Sequence, residues 1–352
     1  MNLPKLSDFD LKGKNVIVRI DLDVPFKKTI DENNTEKFEV EDDSRINACL
    51  PTLKHILNQN PQLLVIVGHI GKIDDKYVST LNLWHLFSNL LGEKVLFKEN
   101  LNTNFEKNSD NSDPKEESRI ILFENLRFFE GEEKNDENFV KLLIGNNINF
   151  YVNESFATSH RQHASIVGLP KLLPHAVGLR FAQEVENLEK VRNNPNHPTI
   201  AIVSGAKEDK LTYLQSFKQF ADKILVGGAL PKFLEDTTDE KLEIAHLTVE
   251  GKDITIKSIE KFVPIIESAK TIVVAGPLGV FEEIGHHLGT QRVLEAVAGN
   301  TDAFKVAGGG DTVNAINKFG LADKFSWVSV GGGAMLDFLG EGSLPGIKAL
   351  LD

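Results

Sequence analysis

Phe304-Lys305-Val306-Ala307-Gly308-Gly309-Gly310-Asp311-Thr312 is an apolar run that ends in three glycines, an acid and a hydroxyl. A helical pattern follows at once, with Val313, Ile316 and Phe319 on one face and Gly320 as its stop. Strand, glycine turn and helix start form the geometry that aims free backbone N–H groups at an anion. The glycines remove side chains so that a phosphate can approach, and Asp311 could hold a magnesium ion on that phosphate. A second copy follows closely, where 325–330 reads as a strand running into Gly331-Gly332-Gly333. One such turn is weak evidence, since tight βα turns need glycine anyway. Two in succession place a phosphate ligand on an equal footing with plain turn geometry.

Short apolar runs alternate with amphipathic stretches along the rest of the chain. Strands are expected at 16–20, 63–67, 95–97, 120–123 and 149–152, and in the second half at 199–203, 223–226, 271–275, 304–307 and 325–330. Between them lie helical patterns such as 46–57, 81–91 and 256–269. Alternating β and α with near-continuous Val/Ile/Leu strands predicts an α/β fold of two doubly wound, Rossmann-like parallel sheets. The charged amphipathic stretch Phe181–Arg192 and the turn-rich 193–198 that follows mark the boundary between them. The highly polar 98–118 reads as a mobile surface loop, and 27–43 as a hairpin with a solvated tip.

A chain of 352 residues has room for two such domains. A net charge of −12 argues against a general nucleic-acid or membrane surface, so any anion site must be a local basic cluster. Cys49 is alone, which excludes an internal disulfide and fits a reducing compartment. No apolar leader follows Met1 and no stretch approaches a membrane span, so a cytoplasmic location is expected. Arginine is scarce, with eight against 31 lysines. Each arginine therefore calls for inspection, because its planar fork binds carboxylate or phosphate in ways lysine cannot copy. Four of them, Arg19, Arg45, Arg127 and Arg161, lie at strand ends or in loops of the first half.

The ends of parallel strands share one edge of a sheet. Arg45, His69, Lys72, Arg127, Arg161 and His163 can therefore converge on a small polyanion such as a phosphorylated acid. In the second half, Ser204-Gly205-Ala206-Lys207-Glu208-Asp209-Lys210 follows a strand, with a lysine placed to neutralise phosphate oxygens. Its spacing is not that of a Walker A loop. Gly276-Pro277-Leu278-Gly279-Val280-Phe281-Glu282 adds another strand-end turn, with a carboxylate suited to a sugar hydroxyl. An anion-binding half and a nucleotide-phosphate half together suit phosphoryl transfer, where positioning and charge neutralisation supply most of the catalysis.

The chain resembles phosphoglycerate kinase nearly end to end. The resemblance rests on ten segments in order: 18–25, 42–53, 68–71, 122–136, 151–168, 204–210, 276–282, 308–312, 329–334 and 344–350. It implies reversible transfer between MgATP and 3-phosphoglycerate, with 1,3-bisphosphoglycerate and ADP on the other side, by a monomer with no nucleic-acid or membrane partner. It further implies a phosphoglycerate-binding domain at 1–180 and a hinge helix and linker at 181–198. A nucleotide-binding domain at 199–340 and a segment 341–352 returning to the first domain complete this division. Carried over residue by residue, Asp21, His69, Arg127 and Arg161 hold the phosphoglycerate and His163 supports the pocket, while Arg45 neutralises the phosphoryl group in flight. Lys207 follows the transferring phosphate, Lys210 is the second lysine on the nucleotide phosphates, and Glu282 takes the ribose hydroxyls. Asp311 takes the magnesium ion, Gly309, Gly310 and Thr312 the phosphates, and Gly331, Gly332 and Gly333 supply N–H groups near the transferred group.

This chain also departs from the family pattern. Asp23 stands in the substrate region where Asn is usual, and its charge is expected to repel an anion. Lys72 replaces an arginine there. Lys207 and Lys210 are one residue closer than usual, which on a helix turns their relative direction by about 100°. Val274-Ala275 replaces Trp-Asn, Val330 replaces Thr, and Trp327 stands where His is common. The stretch 228–271 is short, as if one strand-helix unit were missing. The alternatives to an active, shortened kinase are a catalytically impaired relative that binds a ligand or partner, and a kinase acting on another small acid.

Overall fold

The computed structural model describes residues 1–30, 36–100, 118–234 and 238–351. The chain divides into two units, Met1–Gln183 with Leu344–Asp352, and Glu184–Ser343. Unit 1 contains β1 (Asn15–Arg19), β2 (Leu63–Val67), β3 (Leu96–Lys98), β4 (Ile120–Phe123), β5 (Phe150–Asn153) and β6 (His175–Val177). They form one parallel sheet in the order β6-β5-β1-β2-β4-β3. Every residue of β2, Leu-Leu-Val-Ile-Val, is buried, because helices cover both faces of the sheet. Arg19 sits level with Val67 on one side and Asn153 on the other, so three chains leave the sheet side by side.

Unit 2 repeats the design with β7 (Thr199–Val203), β8 (Lys223–Val226), β9 (Leu242–Ile244), β10 (Thr271–Ala275), β11 (Phe304–Gly308) and β12 (Trp327–Ser329). Their order is β9-β8-β7-β10-β11-β12. Strand order therefore reverses between β7 and β10, and the crevice beyond the carboxyl ends there is where open α/β sheets bind ligands. Phe262, on the helix Ile256–Ser268, is fully buried beside Ile272 and Val274 of β10. Burial of one such side chain contributes about 2–3 kcal/mol.

The expected strand list needs two additions. The sequence pattern misses β6 and β9, each a three-residue edge strand too short to show periodicity. With β9 present, unit 2 has six strands among the described residues. Parallel strands are usually joined through a helix. Here the only helical turn among the described residues of the β8–β9 connection is the 3-10 turn Leu230–Phe233. The hairpin at 27–43 forms as Phe26–Ile30 against Glu36–Val40, but its tip at 31–35 lies outside the described residues, as does 101–117 of the polar loop.

The helix Leu179–Asn193 carries the chain out of unit 1. At the far end of the sequence, the short helix Pro345–Lys348 belongs again to unit 1. The Gly346 N–H donates to Ser159 O at 2.8 Å, and Ala349 packs with Ile166 and Val167.

Candidate active site

In unit 1 the strand ends assemble a cationic pocket around a histidine. His69 follows β2 and is 4% exposed, with Arg19, Arg127, Arg161 and His163 near enough to act on its charge. Burial, followed by these cations, pushes the His69 imidazole well below its ordinary pKa, so it is neutral. The same causes, burial first and then Arg127, Arg19 and Arg161, push His163 down to about 3. A pocket of guanidinium groups with two neutral rings suits a polyanion, which supplies the compensating charge.

Arg127 is placed by Asn125, whose carbonyl oxygen accepts the Arg127 N–H at 3.0 Å while its amide donates to Ile70 O and Val78 O. Arg127 also pairs with Glu133. Arg161 is exposed, on the loop after β5. Asp21 is 2% exposed, and its carboxylate accepts from Arg45 Nη1 at 3.3 Å. Burial raises the Asp21 pKa and Arg45 opposes that shift. Arg45, half-buried at the start of the helix Ser44–Asn58, also donates to Asp23 O at 3.0 Å. The Asp23 carboxylate accepts the Gly71 N–H at 2.8 Å, a backbone-capping task that an amide oxygen could equally perform. Lys72 stands apart from this group: it is exposed on a two-residue strand, with its ammonium 5.1 Å from the centre of the Tyr77 ring.

In unit 2, a cleft of about 240 Å³ is lined by Gly205, Gly228, Pro277, Phe281, Glu282 and Asp311, among others. It opens at the switch point between β7 and β10. Gly276, with φ of 120°, is obligatory there, because a Cβ would lie 1.8 Å from Ser204 O. The two sequence-predicted lysines separate in role. Lys207 is exposed and makes no hydrogen bond or ion pair among the described residues. Lys210 folds back, and its ammonium donates to Ser204 O at 2.6 Å and Ala275 O at 3.1 Å. It thereby cross-braces the ends of β7 and β10. Burial lowers its pKa, and Asp311 and Asp209 oppose that shift.

Asp311 and Thr312 lie in the first turn of the helix Gly310–Lys318, but only Asp311 faces the cleft. The Thr312 hydroxyl is buried and accepts the Gly276 N–H at 2.9 Å, so it ties two strand ends together. The second glycine run opens the helix Gly332–Glu341. A Cβ on Gly332 would lie 2.4 Å from the Gly309 Cα, so the two glycine turns touch backbone to backbone. Gly310 and Gly333 lie at helix starts, where N–H groups have no intrahelical acceptor. Gly331, in contrast, donates to Ser329 Oγ at 3.3 Å. Glu282 is exposed at the cleft rim, beside the Lys252–Glu283 ion pair at 2.6 Å.

Buried partners of these groups escape sequence reading. Glu184 accepts from Trp327 Nε1 at 2.8 Å and from the Val330 N–H at 3.0 Å, so it fixes the approach to the second glycine turn. Glu132, 1% exposed, accepts from the Ser165 hydroxyl at 2.6 Å and the Ser165 N–H at 3.0 Å. The one local signal was Arg19, a rare arginine placed at a strand end.

A family model described as phosphoglycerate kinase matches residues 6–238 and again 231–342. The two matches overlap in the β8–β9 connection. The phosphoglycerate kinase of Dictyoglomus turgidum is 33% identical, covering 99% of this chain and 98% of its own length. That of Thermosipho africanus is 34% identical, covering 98% and 97%. Each alignment runs over 402 positions against 352 residues here, so the relatives carry segments this chain lacks. Among solved structures, phosphoglycerate kinase from Coxiella burnetii matches with a TM-score of 0.80 at 27% identity, over 99% of both chains. That from Pyrococcus horikoshii matches with 0.80 at 26%, over 99% and 98%.

Proposed function

The chain belongs to the phosphoglycerate kinase family, and we propose that it moves a phosphoryl group reversibly between MgATP and 3-phosphoglycerate with the residues placed above. The observation that carries this reading is the retention of Lys207, without a partner among the described residues, beside a glycine-lined cleft that Asp311 faces. A lysine left without a partner serves an anionic ligand better than one with two of its three N–H donors engaged, as Lys210 has.

In this reading His69, Arg127 and Arg161 bind the phosphoglycerate, with His163 supporting the pocket and Asp21 orienting Arg45. Arg45 and Lys207 neutralise the three oxygens of the phosphoryl group in flight, which is the main demand of a loose phosphoryl-transfer transition state. The glycine turns around Gly309, Gly310, Gly332 and Gly333 present N–H groups to phosphates, and Glu282 meets the ribose. Asp311 would hold the magnesium ion, which when bound neutralises phosphate oxygens. One carboxylate suits an ion that takes most of its ligands from phosphate and water. Thr312 and Lys210 brace the cleft, and each keeps one donor for a phosphate, the Thr312 O–H and the third Lys210 N–H. Asp23 caps Gly71, and Lys72 contributes only long-range charge. Unit 1 is the phosphoglycerate-binding domain and unit 2 the nucleotide-binding domain, in a cytoplasmic monomer. The unpaired, buried Cys49 supports a reducing compartment.

A coupled assay of ATP formation from 1,3-bisphosphoglycerate and MgADP tests the reading. Arg45→Ala and Lys207→Ala are each expected to lower kcat at least about a hundredfold, as loss of a transition-state charge contact does. Folded protein that binds 3-phosphoglycerate without turnover would instead identify an impaired relative.

A further inference from the structure

Among the described residues Arg19 is the largest fully buried side chain, and each of its three nitrogens has a protein partner. Its Nε donates to Ser165 Oγ at 3.1 Å, Nη1 donates to Ile20 O, and Nη2 lies 2.8 Å from His69 Nδ1. A guanidinium can only donate, so Nδ1 must accept and the His69 proton must sit on Nε2. That Nε2 makes no hydrogen bond to protein among the described residues, and Arg127, Arg161 and His163 lie near enough to act on the ring's charge.

We propose that Arg19 is a positioning residue that holds His69 as the Nε2–H tautomer, so that the ring offers the anionic substrate a donor and never a lone pair. The inference rests on the assignment of His69 to the phosphoglycerate site. A free imidazole carries its proton on either nitrogen, and the wrong tautomer would point a lone pair at a carboxylate or phosphate oxygen. The guanidinium is itself fixed from behind. Ser165 Oγ accepts from Arg19 and donates to Glu132 Oε1 at 2.6 Å, and the Ser165 carbonyl accepts from the Tyr151 hydroxyl at 2.8 Å. Ser165 belongs to the π-helical turn Ala164–Gly168, a widened turn of the kind often found at functional sites. Glu132 thus supplies the buried counter-charge through one hydroxyl, without occupying the face of Arg19 that His69 uses.

The test is long-range ¹H–¹⁵N NMR of the histidine-labelled full chain, with steady-state kinetics. Wild-type protein without ligand should show His69 as the neutral Nε2–H tautomer across pH 5–8; an Nδ1–H pattern overturns the proposal. The variant Arg19→Met/Glu132→Gln removes both buried charges together. It should show mixed His69 tautomers and a KM for 3-phosphoglycerate raised about tenfold, as loss of one hydrogen bond to a charged group does. The KM for MgATP should not change. Unchanged tautomer and KM in that variant overturn the proposal. Should it fail to fold, Ser165→Ala, which frees the guanidinium from one side, is expected to shift the tautomer in the same direction; no shift overturns the proposal. The assignment of His69 to the substrate site is judged separately: if its resonances ignore added 3-phosphoglycerate, that assignment fails, whatever the free-state tautomer.

Discussion

Gly332 and Gly310 make a matched pair of perturbations, because glycine is required at each for a different reason. At Gly332 a Cβ would sit 2.4 Å from the Gly309 Cα and 2.8 Å from its N. Two carbons rest at about 3.5–4.0 Å, so Gly332→Ala must drive the turns apart by roughly 1 Å. Both sides are backbone, and no side chain can swing away. Overpacking of this kind costs about 1–3 kcal/mol. A displacement of about 1 Å in a binding group can cost on the order of a hundredfold in rate. At Gly310 a Cβ meets nothing within 4 Å. Gly310→Ala should therefore leave the thermal midpoint unchanged or slightly higher, given alanine's better helix propensity. If phosphates approach that backbone, it should still weaken MgADP binding by about tenfold or more, since about 1.4 kcal/mol of lost contact suffices. Calorimetric titration with MgADP and thermal unfolding of both variants read the two effects apart. Wild-type MgADP affinity in Gly310→Ala would refute the phosphate cradle, and wild-type stability in Gly332→Ala would refute the turn-on-turn contact.

Further outcomes are expected elsewhere. Lys210→Met should lose about 1.5–3 kcal/mol of stability, the contribution of hydrogen bonds from a charged group, whereas Lys207→Ala should leave unfolding by denaturant unchanged. Glu184→Ala strands the Trp327 and Val330 N–H donors and should cost about 2 kcal/mol or more, with a shift in tryptophan emission as the spectroscopic check. His163 has its folded pKa pushed down to about 3, so the stability it contributes is present above its unfolded value of 6.5. That contribution should disappear as pH falls from 6.5 toward 3, and His163→Gln should flatten the midpoint-versus-pH curve there. Burial drives Glu154 the other way, up to about 8, although it accepts from Thr52 and from the Arg180 and Phe181 N–H groups. Its contribution is present below about 4.5 and lost as pH rises toward 8, so Glu154→Gln should remove that slope in the same scan.

Most of the fold was legible because a parallel strand buried on both faces must be nearly continuous in Val, Ile and Leu, as β2 and β10 are. The two glycine turns were equally legible, since backbone contact between Gly309 and Gly332 leaves no other residue type. Edge strands β6 and β9 were not, because three residues carry no period. At the candidate site, residue types announced the charges but not their obligations. Lys207 and Lys210 look alike in sequence, yet among the described residues one has no partner and the other donates to two strand-end carbonyls. Thr312 reads as a phosphate ligand, and only the fold shows that its hydroxyl also accepts the Gly276 N–H. Arg19 was conspicuous by rarity, but its role depends on Ser165 and Glu132, which lie far along the chain and become neighbours only on folding.

The return of the chain to unit 1 has a consequence for the order of synthesis. The loop bearing Arg161, His163 and Ser165 rests on the last residues through Ser159–Gly346 and the Ile166–Ala349 contact. All of unit 2 lies between the two in sequence. A ribosome extending the chain by roughly 5–20 residues per second needs on the order of ten to thirty seconds to cross it. Throughout that interval the first sheet is complete while its anion pocket lacks its support. The nascent protein thus exposes a cationic, half-supported loop until Gly346 and Ala349 emerge, and that loop is the last part of unit 1 to gain its packing.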